Sequence, residues 1–234
     1  MLKIENLTKK YGDKIAVNNL SLQINGGEIY GFIGHNGAGK TTTIKCVAGI
    51  LSFEGGTIKV DGVSVKDNPL EVKKKIAYIP DNPDIYPFMT GLQYLNFIAD
   101  VFGISESARK EKIEKLAADF ELSSDLPRSI AEYSHGMKQK LVMISAFMHE
   151  PKLIILDEPF VGLDPKAAFL LKEMMREFCK SGGAIFFSTH VLDVAEKLCD
   201  RVAIIKQGEL IKCGTMEEVK GDASLESVFL ESDK

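Results

Sequence analysis

Apolar and polar residues alternate along the first part of the chain, in segments separated by turn residues. Residues 2–24 read as two half-buried strands, and residues 57–65 read as a hairpin across Asp61–Gly62. Between them, residues 28–33 form a short apolar run and residues 41–50 have helical spacing. The pattern predicts an antiparallel β layer, interrupted by a buried strand that is followed by a helix.

The apolar spacing of the middle of the chain is that of amphipathic helices. Thr90 opens a first helix with a capping box, residues 113–120 mark a second, and a third extends from about Gly136 to Glu150. We therefore predict a helical subdomain over approximately residues 82–150, inserted into a single domain that spans residues 1–234.

The last third of the chain returns to alternating strands and helices. Residues 153–156 and 184–188 are continuous apolar runs, which are typical of parallel strands buried on both faces. Asp164–Pro165 supplies an N-cap and a proline at the first helical position between these runs. The expected fold class is α/β, with an antiparallel β layer and an inserted helical subdomain.

Composition narrows the class of protein. Hydrophobic residues make up 45% of the chain, charged residues make up 26%, and the formal net charge is −4. These values are ordinary for a globular protein, and the acidic balance argues against a nucleic-acid partner. The apolar runs are too short to cross a bilayer, and the four cysteines have no metal or disulfide spacing. We expect a cytoplasmic protein, with His149 at its surface.

The pattern G-x-x-x-x-G-K-T lies between the predicted buried strand and its helix. Glycines let the backbone curl so that its N–H groups surround a triphosphate, and the helix start favours negative charge. Lys40 adds a charge for the β- and γ-phosphates, and the Thr41 hydroxyl is a hard ligand for Mg²⁺. The alternative is a glycine-rich turn without function, which the strand and helix on either side disfavour. The expected ATP contacts are Gly34, His35, Asn36, Gly37, Ala38, Gly39, Lys40, Thr41 and Thr42.

Two carboxylates, Asp157 and Glu158, follow the apolar run 153–156. A buried parallel strand would deliver both to the mouth of the sheet. Asp157 suits the Mg²⁺ shell, and Glu158 suits the positioning or deprotonation of an attacking water. An acidic helix start after a core strand is the alternative reading, which the P-loop in the same chain disfavours.

A second anion site is expected where Ser134 begins an amphipathic helix, within Tyr133–Lys140. It lies in sequence between the P-loop and the acidic pair. These two already make a complete ATP site, which does not need a second anion site. Two further polar segments, Gly162–Asp164 and Ser188–His190, follow the acidic strand and the next strand.

At these residues the chain resembles the ATP-binding subunits of ABC transporters, over nearly its whole length. The motifs that match are Walker A (Gly34–Thr42), the LSGGQ signature (Tyr133–Met137), Walker B (Leu153–Glu158), the D-loop (Gly162–Asp164) and the switch histidine (His190). The resemblance implies a P-loop ATPase fold and ATP hydrolysis at the interface of a head-to-tail dimer of identical or different subunits. Hydrolysis would power a separate membrane permease.

The resemblance also implies roles for single residues. Ser134 and the Gly136 N–H would touch the γ-phosphate of the partner's ATP, Tyr11 would stack on adenine, and His190 would contact the γ-phosphate. His190 would thus join Lys40 and Glu158 as catalytic residues. The protein would lie at the inner face of the membrane, with a permease helix near residues 81–88.

Three positions, two of them in the signature, depart from the family pattern. His135 and Met137 replace a glycine and a glutamine of the signature, although Ser134 and Gly136 are kept. Asp81 stands where the family has a glutamine that senses Mg²⁺, and we expect it to reach the metal shell through water. These departures look more like bacterial exporter-type subunits than importers.

Two other classes of function remain open. Soluble ABC-type proteins act on DNA or ribosomes, but they carry coiled coils or two ATPase units in one chain. A small-molecule kinase could use the same P-loop, but it would need neither Tyr133–Met137 nor a dimer. The transported substrate is chosen by the permease and is not expected to be readable from this chain.

Overall fold

A computed structural model of the chain describes residues 1–83 and 85–231. The strands in chain order are β1 (Leu2–Tyr11), β2 (Lys14–Ile24), β3 (Ile29–Ile33), β4 (Gly55–Val60), β5 (Val63–Ser64), β6 (Ile76–Ile79), β7 (Leu153–Asp157), β8 (Ala184–Thr189), β9 (Arg201–Lys206) and β10 (Glu209–Thr215). The helices are α1 (Lys40–Val47), α2 (Pro69–Lys75), α3 (Gly91–Val101), α4 (Glu106–Asp119), α5 (His135–Met148), α6 (Pro165–Lys180), α7 (Leu192–Leu198), α8 (Met216–Lys220) and α9 (Leu225–Glu231). A short 3₁₀ turn, Ile130–Glu132, precedes α5.

The strands form two sheets, and the expected α/β class is confirmed. A four-stranded antiparallel sheet has the order β2-β1-β4-β5. A six-stranded sheet has the order β10-β9-β3-β8-β7-β6, in which β10 is antiparallel to β9 and the remaining neighbours are parallel. The P-loop strand β3 lies at the centre of this second sheet, so its carboxyl end is surrounded by other strand ends.

The central strands are apolar throughout because both of their faces are buried. Phe186 of β8 points into the cluster between the two sheets, together with α1. Ile185 and Phe187, its neighbours in the strand, point into the opposite cluster, which the helices cover. This two-sided burial is the physical reason for the continuous apolar runs.

Helices α3, α4 and α5 occupy the segment where a helical subdomain is predicted, and they pack on one another. The capping box of α3 is present: the backbone N of Gln93 donates to Thr90 Oγ1 at 3.2 Å, and Thr90 N donates to Gln93 Oε1 at 2.8 Å. The division of the chain at residues 82–150 stays a prediction. Residue 84, within the predicted docking interval 81–88, and residues 232–234, at the end of the predicted domain, lie outside the described residues.

Two local features differ from the expected pattern. Helix α2 is absent from the sequence prediction because Val72 is its one buried residue, so no apolar stripe marks it. The pair Gly55–Gly56 belongs to strand β4 and does not precede it. At Gly56 the φ angle is +88°, and a Cβ there would lie 2.4 Å from the carbonyl oxygens of Glu5 and Asn6, so only glycine fits.

The expectation that His149 lies at the surface is wrong. Its ring stacks on Phe102 with centroids 3.8 Å apart, and its nitrogens lie 3.3 Å from Ser145 O and 3.1 Å from Ile76 O. Burial lowers the pKa of His149, and the two carbonyl contacts oppose this without reversing it. The residue therefore fastens α5 to strand β6. Over the described ranges, every helix is too short or too polar to span a bilayer.

Candidate functional site

A cleft of about 530 Å³ opens at the carboxyl edge of the parallel sheet. It forms there because the parallel strands β3, β8, β7 and β6 end at the same edge, which brings the glycine-rich loop, the acidic pair and Asp81 to one place. Most of the site residues expected from the sequence meet in this cleft. It is lined by Tyr11, Lys14, Ile15, Ala16, His35, Asn36, Gly37, Gly39, Lys40, Thr41, Thr42, Asp81, Asp157, Glu158 and Gln207.

The loop between β3 and α1 is confined by neighbouring backbone. A Cβ at Gly34 would lie 2.5 Å from Ile205 O, and a Cβ at Gly39, where φ is +106°, would lie 2.6 Å from Ala16 O. Ala38 fixes the loop from behind, since its carbonyl accepts from Gly208 N at 2.9 Å. The loop thus presents backbone and no side-chain bulk, which is the condition for close contact with a phosphate chain.

Lys40 begins α1 and folds back over the loop. Its Nζ donates to Gly34 O at 2.6 Å and to His35 O at 3.3 Å, and it lies 3.5 Å from Glu158 Oε1. The side chain is buried. A desolvated ammonium held by exchangeable carbonyl contacts is well placed for an incoming anion.

Asp157 and Glu158 are held by a serine of the neighbouring strand. Ser188 Oγ donates to Asp157 Oδ1 at 2.5 Å and accepts from the backbone N of Glu158 at 3.1 Å. Asp157 is buried and pairs in register with Ser188. Sequence reasoning assigned no role to Ser188. The available signal was its position at the end of the apolar run beside the acidic strand.

Glu158 adopts a strained backbone, with φ at +50°. One carboxylate oxygen, Oε2, lies 2.9 Å from His190 Nδ1 and accepts from His190 N at 3.3 Å. The other, Oε1, is buried and has no hydrogen-bond partner in the described part of the chain. This oxygen pairs with the charge of Lys40, whose Nζ lies 3.5 Å away. A carboxylate fixed in this way beside a phosphate loop is suited to receive a proton or hold a water.

The residues of the cleft mouth are more open. Tyr11 is half-exposed, and Lys9 Nζ lies 5.4 Å from its ring centroid. Thr41 is exposed, so its hydroxyl is accessible from the cleft. Asp81 is exposed at the rim that faces Asp157.

Ser134 and Gly136 are not among the described residues that line the cleft. Ser134 is the N-cap of α5, and its Oγ accepts from Met137 N at 3.2 Å. The ring of His135 packs over Gly162, where a Cβ would lie 2.7 Å from His135 Cδ2. This helix start is exposed and separate from the cleft, and a helix start favours negative charge.

The residues of the cleft fit a nucleoside triphosphate with Mg²⁺. The loop provides backbone donors, Lys40 provides a cation, and Thr41 and Asp157 provide two oxygen ligands of the kind Mg²⁺ prefers. Within the described ranges no group of three or more His, Cys, Asp or Glu residues could hold a metal by itself. The two donors Thr41 and Asp157 match a metal whose shell is completed by phosphate oxygens and water.

Comparisons with known proteins show the family of this chain. A family model described as "ABC transporter" matches residues 17–161. The chain is 35% identical to the ABC-type transporter ATP-binding protein EcsA of Bacillus subtilis, over 100% of this chain and 97% of the relative. It is also 35% identical to the Nod factor export ATP-binding protein I of Burkholderia orbicola, over 91% and 70% of the two chains.

A solved structure of an ATP-binding subunit of an ABC transporter superposes with a TM-score of 0.96, at 35% sequence identity and with 100% of both chains covered. Fold, cleft and relatives therefore lead to one conclusion. The chain belongs to the ABC transporter family, as an ATP-binding subunit of the kind whose ATPase activity is coupled to transport.

Proposed function

We propose that this chain hydrolyses ATP with Mg²⁺ at the interface of a head-to-tail dimer and thereby powers a separate membrane permease. One observation carries the proposal: the cleft and the anion-binding helix start at Ser134 lie on different parts of one chain. Each is half of a nucleotide site. Two copies arranged head to tail, or this chain with a related one, would complete both halves.

The residues of the cleft divide the chemistry. Lys40 and Thr41 hold the phosphate and metal end of the nucleotide, with Asp157 as a further oxygen donor to the metal shell. Glu158 orients the attacking water through Oε1, which makes no hydrogen bond within the described residues, and His190 fixes the other oxygen while reaching toward the terminal phosphate. Tyr11 offers a ring to the adenine at the cleft mouth.

The helix start of α5 is chemically ready for a partner's phosphate. Ser134 Oγ accepts from Met137 N, which leaves its own O–H free to donate, and the backbone N–H of Gly136 lies in the same first turn. His135 does not block this turn, because its ring is turned onto Gly162. The departure from the family signature is therefore compatible with phosphate contact.

An exposed aromatic patch supports the permease as a partner. It consists of Tyr86, Phe88 and Phe97. The ring centroid of Tyr86 lies 5.7 Å from that of Phe88 and 5.8 Å from that of Phe97. Exposed aromatic clusters mark interaction surfaces. The patch follows Asp81 in the chain, so a helix docked there would adjoin the rim of the cleft. Docking would place the chain at the inner face of the membrane, and the Nod factor export relative favours export as the direction.

The dimer is tested with Glu158→Gln, which keeps the shape of the side chain and removes the carboxylate needed to activate water. Size-exclusion chromatography of this variant should show a monomer without nucleotide and a dimer with ATP and Mg²⁺. The same variant carrying Ser134→Asp should bind ATP and remain monomeric, because the added charge repels the partner's terminal phosphate.

The matched control is Ser134→Asn in the same background. Aspartate and asparagine both cap helices well, so the two variants differ in charge and not in the stability of α5. Asparagine should retain most of the dimer. Identical behaviour of both variants would contradict the role of Ser134, and a monomer that phosphorylates a metabolite would favour a kinase.

A further inference from the structure

Tyr78 lies beside the acidic end of the cleft but was assigned no role by any motif. It belongs to β6 and pairs in register with Ile155 of β7. Its side chain packs with Ile155 into the cluster between the two sheets. Since side chains alternate along a strand, Asp157, two residues after Ile155, projects from this same face. Asp81 follows Tyr78 by three residues, just beyond the end of β6, and the charges of both Asp157 and Asp81 act on the tyrosine.

The hydroxyl of Tyr78 is buried and has no hydrogen-bond partner within the described residues. Leaving a buried donor unpaired costs free energy, and such groups are uncommon in folded proteins. Burial, and then the charges of Asp157 and Asp81, raise the pKa of Tyr78 to about 12. The hydroxyl therefore keeps its proton and is available as a donor in the physiological range of pH.

A phenylalanine would fill the same space without this cost. The side chains that flank Tyr78 in the cluster, Ile76 and Ile155, are entirely apolar, so packing alone does not require an oxygen here. The unpaired hydroxyl of Tyr78 is most simply explained by a second state of the protein, in which the carboxylates of Asp157 and Asp81 come within hydrogen-bond distance.

We propose that Tyr78 is a positioning residue of the ATPase site, whose hydroxyl donates a hydrogen bond to the acidic shell of Asp157 and Asp81 when nucleotide and Mg²⁺ occupy the cleft. The bond fixes the orientation of the oxygens that serve the metal. The hydroxyl would then be unpaired only in the nucleotide-free protein. The inference rests on the proposed function, since it assigns Tyr78 to that same site.

The test compares Tyr78→Phe with Tyr94→Phe. Tyr94 is a matched control because it is a buried tyrosine of α3 in the helical region, away from the cleft. Thermal unfolding is recorded without ligand, with a non-hydrolysable ATP analogue in EDTA, and with the analogue across a series of Mg²⁺ concentrations. These readouts report binding and stability, and do not depend on turnover.

Without ligand, Tyr78→Phe should melt at or above the temperature of the unmodified protein, because it removes a buried hydroxyl that has no partner within the described residues. With the analogue, Tyr78→Phe should need about fivefold more Mg²⁺ for half of the full stabilisation, and Tyr94→Phe should need the same amount as the unmodified protein. Analogue binding in EDTA should not change.

An unchanged Mg²⁺ requirement in Tyr78→Phe would overturn the role of Tyr78, whatever its melting temperature without ligand. If the unmodified protein itself fails to bind the analogue with Mg²⁺, the proposed function falls and this inference falls with it. The two failures are therefore distinguished within one set of measurements.

Discussion

At the scale of single residues, one hydroxyl organises both acids of the cleft. Ser188 donates to Asp157 and accepts from the backbone of Glu158, and it is fully buried. These two hydrogen bonds fix the position of Asp157, proposed to serve the metal, relative to Glu158, proposed to orient the water. Outer-shell partners of this kind commonly matter about as much as the ligands they orient.

We expect Ser188→Ala to lower kcat about 10- to 100-fold while ATP affinity changes little, because Lys40 and the loop keep their contacts. Ser145→Ala is the matched control, since this buried serine donates to Val142 O inside α5, remote from the cleft. The measurements are steady-state ATPase rates and nucleotide dissociation constants. Equal losses of kcat and affinity in Ser188→Ala would indicate a general disruption of the fold.

The main groups of the site could be predicted from local sequence, whereas Ser188 could not. The glycine-rich loop and the acidic pair each lie within a few consecutive residues, so their spacing is visible directly. The role of Ser188 depends on the register of two strands that are 31 residues apart in the chain, which places it opposite Asp157. These two parallel strands are joined by a long crossover, so no short run of residues shows which positions face each other.

At the scale of elements, the last described helix reaches the phosphate loop. The ring of Phe229 in α9 lies 4.7 Å from the ring of His35, whose carbonyl accepts from Lys40. Helix α9 is fastened in turn to α7, because Glu196 accepts from Leu225 N at 3.1 Å and pairs with Lys220 Nζ at 2.6 Å. Helix α9 thus supports the phosphate loop, although it lies outside the sequence motif of that loop.

We predict that Phe229→Leu weakens ATP binding about threefold, because leucine keeps most of the packed volume and removes the aromatic contact with His35. Leu230→Ala serves as the control: Leu230 is 56% exposed, against 8% for Phe229. Nucleotide titration by calorimetry gives the affinities, and thermal unfolding reports any change in stability. An affinity loss of the same size in Leu230→Ala would show that α9 acts without this contact.

Element prediction from sequence was reliable where a helix carried its own terminal signals. The capping box at Thr90 and the N-cap at Asp164 both open helices. Helix α2 carried no such signal: its N-cap Asn68 makes no side-chain cap bond, and a single side chain is buried. A helix of this kind is stabilised by its position against β5 and β6, which local periodicity does not report.

At the scale of the whole molecule, the aromatic patch is the surface we expect to contact the permease. We predict that Phe88→Ala leaves the ATPase rate of the isolated chain unchanged and abolishes co-purification with a membrane protein. Phe88 is 76% exposed, so its removal creates no cavity. Leu70→Ala is the control, since Leu70 is 75% exposed on α2 and lies outside the patch. Co-purification that survives Phe88→Ala would place the permease contact elsewhere.

The layered fold could be anticipated as a whole because each layer has its own local pattern. The relation between separate chains has no such pattern. The second anion site expected at Ser134 indicates a second subunit. One sequence would show the same residues whether that subunit is identical or different.

His135 and Gly162 are a matched pair, because the imidazole occupies the volume that any side chain at position 162 would need. His135 begins the helix that would face a neighbour's nucleotide, and Gly162 follows Glu158 of the chain's own cleft. In the proposed dimer, a displacement at one catalytic centre would therefore reach the other through this pair. The two centres would then open and close in concert.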